Sequence, residues 1–378
     1  MLRSLLPCFV LFGLAAGPSF ADMPIKSLPN IDATAYSLVD FDTGKVLAAK
    51  NSVQELPMAS LTQLMTAYVV FEELAAGKLK LDEPVTISEH AWRQGGSRTF
   101  VQVGSRVPVR SLLLGMIVQS GNDATVALAE RVAGTEKAFV RLMNATAKRL
   151  GLADTHYMDS TGLPVPGHFT TARDLSLLTI ALIRDFPQYY HWFSVKQFEY
   201  NRIMQRNSNG LLVNDPGVDG LKTGHTDAAG YCVVASAKRN GMRLVSVVLG
   251  GETFSGRVTS SAALLNYGFT FYATRLLARA DTPLATATVW KAQSPSVGVG
   301  IARDLYVTVP RSGIASLETS VTLQPRLMAP LSPNSTVGRL VVTDQGKEVA
   351  TVPLYPLTAD AAGGWWQNLV DTVKLSFP

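Results

Sequence analysis

Three short clusters carry the chemistry open to this chain: Ser60 with Gln63, Ser120 with Asn122, and Lys222-Thr223-Gly224. Apolar residues recur at Leu61, Leu64, Met65, Tyr68, Val69 and Phe71, a spacing that predicts a helix over 61–74 with Ser60 at its start. A serine there is often a plain N-cap. As a nucleophile it would meet free backbone N–H groups and a positive partial charge, which stabilise developing negative charge. Gln63, three residues on, shares that helix face. Its carboxamide has no group that titrates near neutral pH, so it can orient a hydroxyl or a water but cannot take a proton. Ser120 and Asn122 could hold a hydroxyl and an amide against a substrate amide and its leaving group, although taken alone they read more simply as a small polar turn. Lys222-Thr223-Gly224 sits in a strand-like stretch. An exposed edge strand can bind an extended peptide by main-chain bonds. Lys222 and Thr223 would then hold a terminal carboxylate, and Gly224 would allow close backbone approach.

The elements that must position these residues are legible in outline. Two strands, 36–41 and 45–49, flank Asp42-Thr43-Gly44, a hairpin signal. Residues 111–132 read as helical around the second cluster, and 136–150 as another helix. A further helix over 171–183 has Thr170 and Thr171 as candidate caps. Alternating apolar runs at 230–238 and 242–249 enclose Asn240-Gly241, a strong hairpin turn. Helical spacing returns over 259–278. Beyond Asp281-Thr282-Pro283 the chain turns rich in Val, Thr, Pro and Gly, with short runs at 305–309, 321–323 and 338–342 that predict a small all-β unit. In the tail, Trp365, Trp366, Leu369, Val370, Val373 and Phe377 form one helical stripe opposite Gln367, Asn368, Asp371 and Lys374. That pattern suits an amphipathic helix lying in a membrane interface, or one docked on the β unit.

A chain of 378 residues, 47% apolar and 17% charged, is long enough for two domains. The formal charge of +5 is scattered, and no basic run interleaves with aromatics, so nucleic acid is not an expected partner. Arg3, the apolar run 5–16 and Ser19-Phe20-Ala21 read as a cleaved export signal over residues 1–21. Cys8 falls in that signal, which leaves Cys232 unpaired within an apolar run, the setting of an inert buried thiol. The five histidines stand singly, with no ligand-pair spacing, so neither metal nor cofactor is expected.

Each cluster alone is weak, but they occur in order, about 60 and 100 residues apart. With Pro57-Met58-Ala59-Ser60-Leu61-Thr62, Gln119-Ser120-Gly121-Asn122-Asp123-Ala124, Asp219-Gly220-Leu221-Lys222-Thr223-Gly224-His225-Thr226 and Ala229-Gly230-Tyr231, the chain resembles the low-molecular-mass penicillin-binding proteins, serine-type D-alanyl-D-alanine carboxypeptidases. The resemblance implies an α+β fold of β-lactamase/transpeptidase type, an antiparallel sheet flanked by helices, over 22–281. A smaller all-β domain over 282–356 follows, then a linker and membrane-anchor helix over 357–378. It implies that Ser60 attacks a peptidoglycan stem peptide, that the backbone N–H groups of Ser60 and His225 hold the oxyanion, and that β-lactams acylate the same serine. Partners would be the stem peptide, β-lactams and, through the tail, the outer face of the inner membrane in the periplasm. The departure lies at position 63, where the family places its general-base lysine. Two readings follow: an active carboxypeptidase whose serine is activated by another route, or an impaired homologue that binds cell-wall peptide or β-lactam with little turnover.

Overall fold

The computed structural model describes residues 27–376. The export signal, Cys8 and Phe377 lie outside the described residues. Strands Ala35–Asp40 and Val46–Lys50 pair antiparallel around the Asp42-Thr43-Gly44 turn. Asp40 closes that turn, its Oδ1 accepting from the amide of Thr43 at 2.9 Å and from its hydroxyl at 2.7 Å. Strands Gly230–Arg239 and Met242–Gly251 join through Asn240 (φ 50°) and Gly241 (φ 83°), the left-handed pair that a two-residue hairpin needs. The five-stranded antiparallel sheet runs Val46–Lys50, Ala35–Asp40, Met242–Gly251, Gly230–Arg239 and, at one edge, Val218–Thr226.

Both faces of the sheet are covered, and strand alternation sorts side chains between them. Val233, Ala235, Leu244 and Val248 pack with Leu264, Leu265 and Phe269 of the helix Phe254–Phe271. On the opposite face, Cys232, Val234, Val245 and Val247 join the helices Gln63–Ala75 and Ala172–Asp185. Thr171 caps the latter, accepting from Asp174 N at 3.1 Å. Hydroxyl pairs tie the layers to the sheet: Ser246 to Ser261 at 2.6 Å, and Ser37 to Ser176 at 2.6 Å.

Two expectations need correction. Residues 111–132 form two helices, Val109–Gln119 and Asn122–Ala133, broken where Ser120 adopts a left-handed conformation (φ 63°). Residues 259–278 are also not one helix. The helix ends at Phe271, and Tyr272–Ala278 is a strand paired with Leu305–Pro310. No glycine or proline marks this end, because the helix's last carbonyls are satisfied from elsewhere in the chain. Arg311 donates to Phe269 O at 2.7 Å and to Tyr272 O at 3.3 Å.

The C-terminal all-β domain holds a six-stranded sheet around Val289, Val299, Val307, Leu340, Val342 and Leu354. It meets the first domain through hydroxyls. Thr308 contacts Thr43 at 2.8 Å and Thr274 at 2.9 Å, Thr274 donates to Asp40 Oδ2 at 2.6 Å, and Lys45 Nζ donates to Thr308 O at 2.8 Å. The helix Trp365–Ser376 follows. Its Asp371 is buried and accepts from Lys291 N at 2.6 Å, while Trp365 and Trp366 are 76% and 62% exposed. Among the described residues no helix is long and apolar enough to cross a membrane.

Leu264 is fully buried between helix and sheet. Leu264→Ala should lower unfolding free energy by about 2–5 kcal/mol, read as a reduced urea midpoint. A change below about 0.5 kcal/mol would show that this face does not carry the core.

Candidate functional site

Ser60 lies on a 3-10 turn, Ala59–Thr62, that leads into the helix Gln63–Ala75. Two glycines grip this turn. A Cβ on Gly162 (φ +94°) would meet the Ala59 carbonyl oxygen at 1.8 Å. A Cβ on Gly224 would lie 3.0 Å from Met58 O and 3.2 Å from Ser60 N. Gly224 therefore lets the edge strand press against the serine's own amide. Thr62 holds the turn from inside, donating from Oγ1 to Ala59 O at 2.8 Å and contacting His168 Nε2 at 2.8 Å. Ala59 itself has a positive φ of 48°, a conformation that non-glycine residues adopt only when the surroundings enforce it.

The other clusters converge on Gln63, which is 1% exposed. Its Nε2 donates to Asn122 Oδ1 at 3.1 Å, to Thr161 O at 3.3 Å and to Ser120 O at 3.4 Å. Its Oε1 accepts from Ser120 Oγ at 3.1 Å. Hydrogen bonds from Gln63 to the Ser60 hydroxyl are not among those of the described residues. The left-handed turn at Ser120 aims that hydroxyl into the cleft, where it meets Lys222 Nζ at 2.8 Å. Asn122 is fixed from its other end, with Nδ2 donating to Gly95 O at 2.8 Å.

Lys222 and Thr223 are buried on the edge strand, and Lys222 Nζ also donates to Thr223 O at 3.1 Å. Burial, reinforced by the Arg257 guanidinium, pushes the Lys222 ammonium down to about 7. His225 is exposed, and its ring stacks on Tyr231 with centroids 4.0 Å apart. Cys232, on the neighbouring strand, is buried and donates to Ala229 O at 3.3 Å. Burial pushes its thiol up to about 11.

Sequence reasoning missed two residues that shape this site. Arg257, on the helix Phe254–Phe271, donates to Gly224 O at 3.0 Å and to Cys232 O at 3.4 Å, and lies over the rings of Tyr231 and Phe254. Its only signal was a charge inside an apolar and small-residue helix. Asp123, fully buried, accepts from the amides of Thr99 at 2.7 Å, Phe100 at 2.8 Å, Val101 at 3.2 Å and Ala124 at 2.9 Å. It fastens the 95–101 loop beside Asn122. A cavity of about 250 Å³ lined by Met58, Ala59, Leu163, Val165 and Thr226 opens beside the serine turn.

Residues 23–253 match the family described as D-alanyl-D-alanine carboxypeptidase, and residues 272–361 match the penicillin-binding protein 5 C-terminal domain. The chain is 42% identical over 361 residues to the D-alanyl-D-alanine carboxypeptidase DacA of Escherichia coli K12, covering 93% of this chain and 90% of that protein. It is 41% identical to DacC of the same organism, covering 97% and 96%. A crystal structure of penicillin-binding protein 5 from Haemophilus influenzae superposes with a TM-score of 0.84 at 38% identity, covering 89% of this chain and 99% of that one.

The Gly162 contact gives a direct test of how the turn is held. Gly162→Ala should lower stability by about 1–3 kcal/mol, through left-handed strain and displacement of Ala59, measured by thermal unfolding. An unchanged melting temperature would mean that the 162 loop does not brace the serine.

Proposed function

The chain belongs to the serine-type D-alanyl-D-alanine carboxypeptidases, and on that premise we propose that its cleft removes the terminal D-alanine of peptidoglycan stem peptides through an acyl-enzyme on Ser60. One observation carries the reading. The Ser60 turn, the Ser120–Asn122 turn and the Lys222-Thr223-Gly224 strand meet in one cleft, with Gly224 against Ser60 N and Lys222 against Ser120 Oγ. The Val218–Thr226 strand forms the sheet's edge, so an extended peptide can add alongside it by main-chain bonds. The terminal carboxylate lies toward Lys222 and Thr223, in the positive field of Arg257. The scissile carbonyl then faces Ser60 Oγ, with its oxygen between the backbone N–H groups of Ser60 and His225. Ser60 attacks, the terminal D-alanine leaves as an amine, and water hydrolyses the ester. A β-lactam follows the first half of this course and stays attached. Asn122, anchored to Gly95 O and Gln63, orients the substrate amide.

Mature protein incubated with benzylpenicillin should gain one drug mass, and should release D-alanine from a stem pentapeptide. Ser60→Ala should do neither. Release of D-alanine by Ser60→Ala would overturn the assignment of the nucleophile, and absence of both activities from the parent would favour the impaired reading.

We place the protein in the periplasm, with the helix Trp365–Ser376 lying on the outer face of the inner membrane. The support is its exposed stripe: Trp365, Trp366, Leu369 and Val373 face solvent while Asp371, on the polar side, holds the β domain. Paired tryptophans suit an interface. With Lys374 the one basic residue of the helix, binding rests on apolar burial rather than charge. Deleting residues 364–378 should move the protein from the vesicle pellet to the supernatant in a sedimentation assay at either low or high salt. Continued pelleting would place the anchor elsewhere.

A further inference from the structure

We propose that His168 is a positioning residue for acylation: through the Thr62 hydroxyl it fixes the Ala59–Ser60 peptide plane, and so aims the Ser60 N–H at the oxyanion. This rests on the carboxypeptidase reading above and concerns how one half of its oxyanion site is held.

The two ends of that peptide face opposite ways. The bond is trans, so its carbonyl oxygen and its N–H point in opposite directions within one rigid plane. The Ser60 nitrogen faces the edge strand, 3.2 Å from where a Gly224 Cβ would lie. The Ala59 oxygen points back into the protein, toward Gly162 and the Thr62 side chain. Turning the carbonyl therefore turns the N–H with it. Ala59 sits at a positive φ of 48°, which its own backbone disfavours, so the plane has to be held from outside.

The hold is a directed chain of hydrogen bonds. The Thr62 hydroxyl has one hydrogen, and the Ala59 carbonyl, an acceptor only, takes it at 2.8 Å. The 2.8 Å contact between Thr62 Oγ1 and His168 Nε2 then runs the other way, with the Nε2–H donating. The far side of the ring agrees. Met158 N donates to Nδ1 at 3.2 Å, which leaves the ring hydrogen on Nε2. Each bond polarises the next. An Nε2–H on Thr62 strengthens the hydroxyl as a donor to Ala59 O, and an engaged carbonyl makes the Ser60 N–H a better donor in turn. Thr62 and His168 are both buried, where solvent does not dilute these bonds.

The ring is itself braced. Tyr157 packs edge-on against it, with centroids 5.9 Å apart. Asp159 Oδ2 lies 3.4 Å from Nδ1, while Oδ1 accepts from the amides of Thr161 at 2.7 Å and Gly162 at 2.6 Å. The loop that presses Gly162 on Ala59 and offers Thr161 O to Gln63 is thus anchored beside the same imidazole. A second proton on the ring would meet the Asp159 carboxylate and leave the Nε2–H in place. His168 passes no proton to the reacting atoms and acts on Ser60 only through Thr62 and the peptide plane. The oxyanion forms during attack, so a misaimed N–H slows the acylation step and spares the initial encounter with the drug.

The test is benzylpenicillin acylation, resolved into the dissociation constant of the initial complex and the limiting acylation rate. It is run in the parent and in Gln63→Lys, each alone and with His168→Asn, His168→Gln, Thr62→Val, or His168→Asn and Thr62→Val together. Asparagine keeps an acceptor near Nδ1 but has no atom at Nε2, whereas glutamine extends an N–H to that place. His168→Asn should lower the limiting rate about 10- to 10²-fold, somewhat less than loss of a whole oxyanion donor. The initial dissociation constant should stay within about twofold. His168→Gln should recover most of the lost rate. Thr62→Val should lose a similar amount, and adding His168→Asn to it should cost less than about threefold more, because the two act in one line. A residue that only braces the fold would weaken the initial complex as well, with no rescue by glutamine. A parental limiting rate in His168→Asn overturns the proposal, as do equal losses in the asparagine and glutamine variants, or losses at 62 and 168 that multiply. If His168→Asn does not fold, the other two decide: a loss in Thr62→Val beside a near-parental His168→Gln supports the relay, and a parental rate in Thr62→Val overturns it. If only the Gln63→Lys series is acylated, the same comparisons hold within it. If neither series is acylated, the carboxypeptidase reading falls, and this one with it.

Discussion

The arrangement depends on one close contact: the edge strand lies so near the serine turn that a Cβ at position 224 would press to 3.0–3.2 Å on Met58 O and Ser60 N. From this approach the rest follows. The Ser60 amide is brought to the strand on which a peptide can lie, and Lys222, two residues earlier, is brought to Ser120. Gly162 presses from the other side against the Ala59 carbonyl, so the turn is fixed in a backbone conformation that its own sequence would not choose. Strain of this kind persists only where surrounding packing over-determines it. Here two core clusters, one on each face of the sheet, supply that packing.

Burying Gln63, Asn122, Ser120 and Lys222 together would be unfavourable if any polar atom were stranded. The network avoids this by making each group's partner the next group in the chain. Gln63 links Ser120 to Asn122, Ser120 links Gln63 to Lys222, and Asn122 reaches out to Gly95. A carboxamide fits this position because it donates and accepts at once. With both ends engaged it holds Ser120 and Asn122 in place, and it takes up no proton near neutral pH.

Much of this was legible in the sequence because local physics determined it. Asn240-Gly241 announces a tight hairpin, Thr171 a cap, and the 3.6-residue period of Leu61, Leu64, Met65 and Tyr68 a helix. The three clusters marked the site because their residue types are costly to bury and useful only together. What stayed hidden was decided at long range. The helix end at Phe271 is set by Arg311, some 40 residues on. The break at Ser120 is set by the Asp123 carboxylate and the loop amides it gathers. Arg257 matters because the fold carries it behind Gly224, which no spacing along the chain discloses.

Cys232 has a consequence for the chain's redox life. It is the one thiol of the described residues, sealed in the sheet, and burial keeps it protonated at neutral pH. Among the described residues an oxidant therefore meets no exposed thiol to cross-link and no disulfide to reshuffle. The described fold holds together through packing, hydrogen bonds and ion pairs such as Arg243–Asp219, with no disulfide among its described residues. Reductants should leave the described fold indifferent, and a cysteine introduced on its surface would be the one exposed thiol among the described residues.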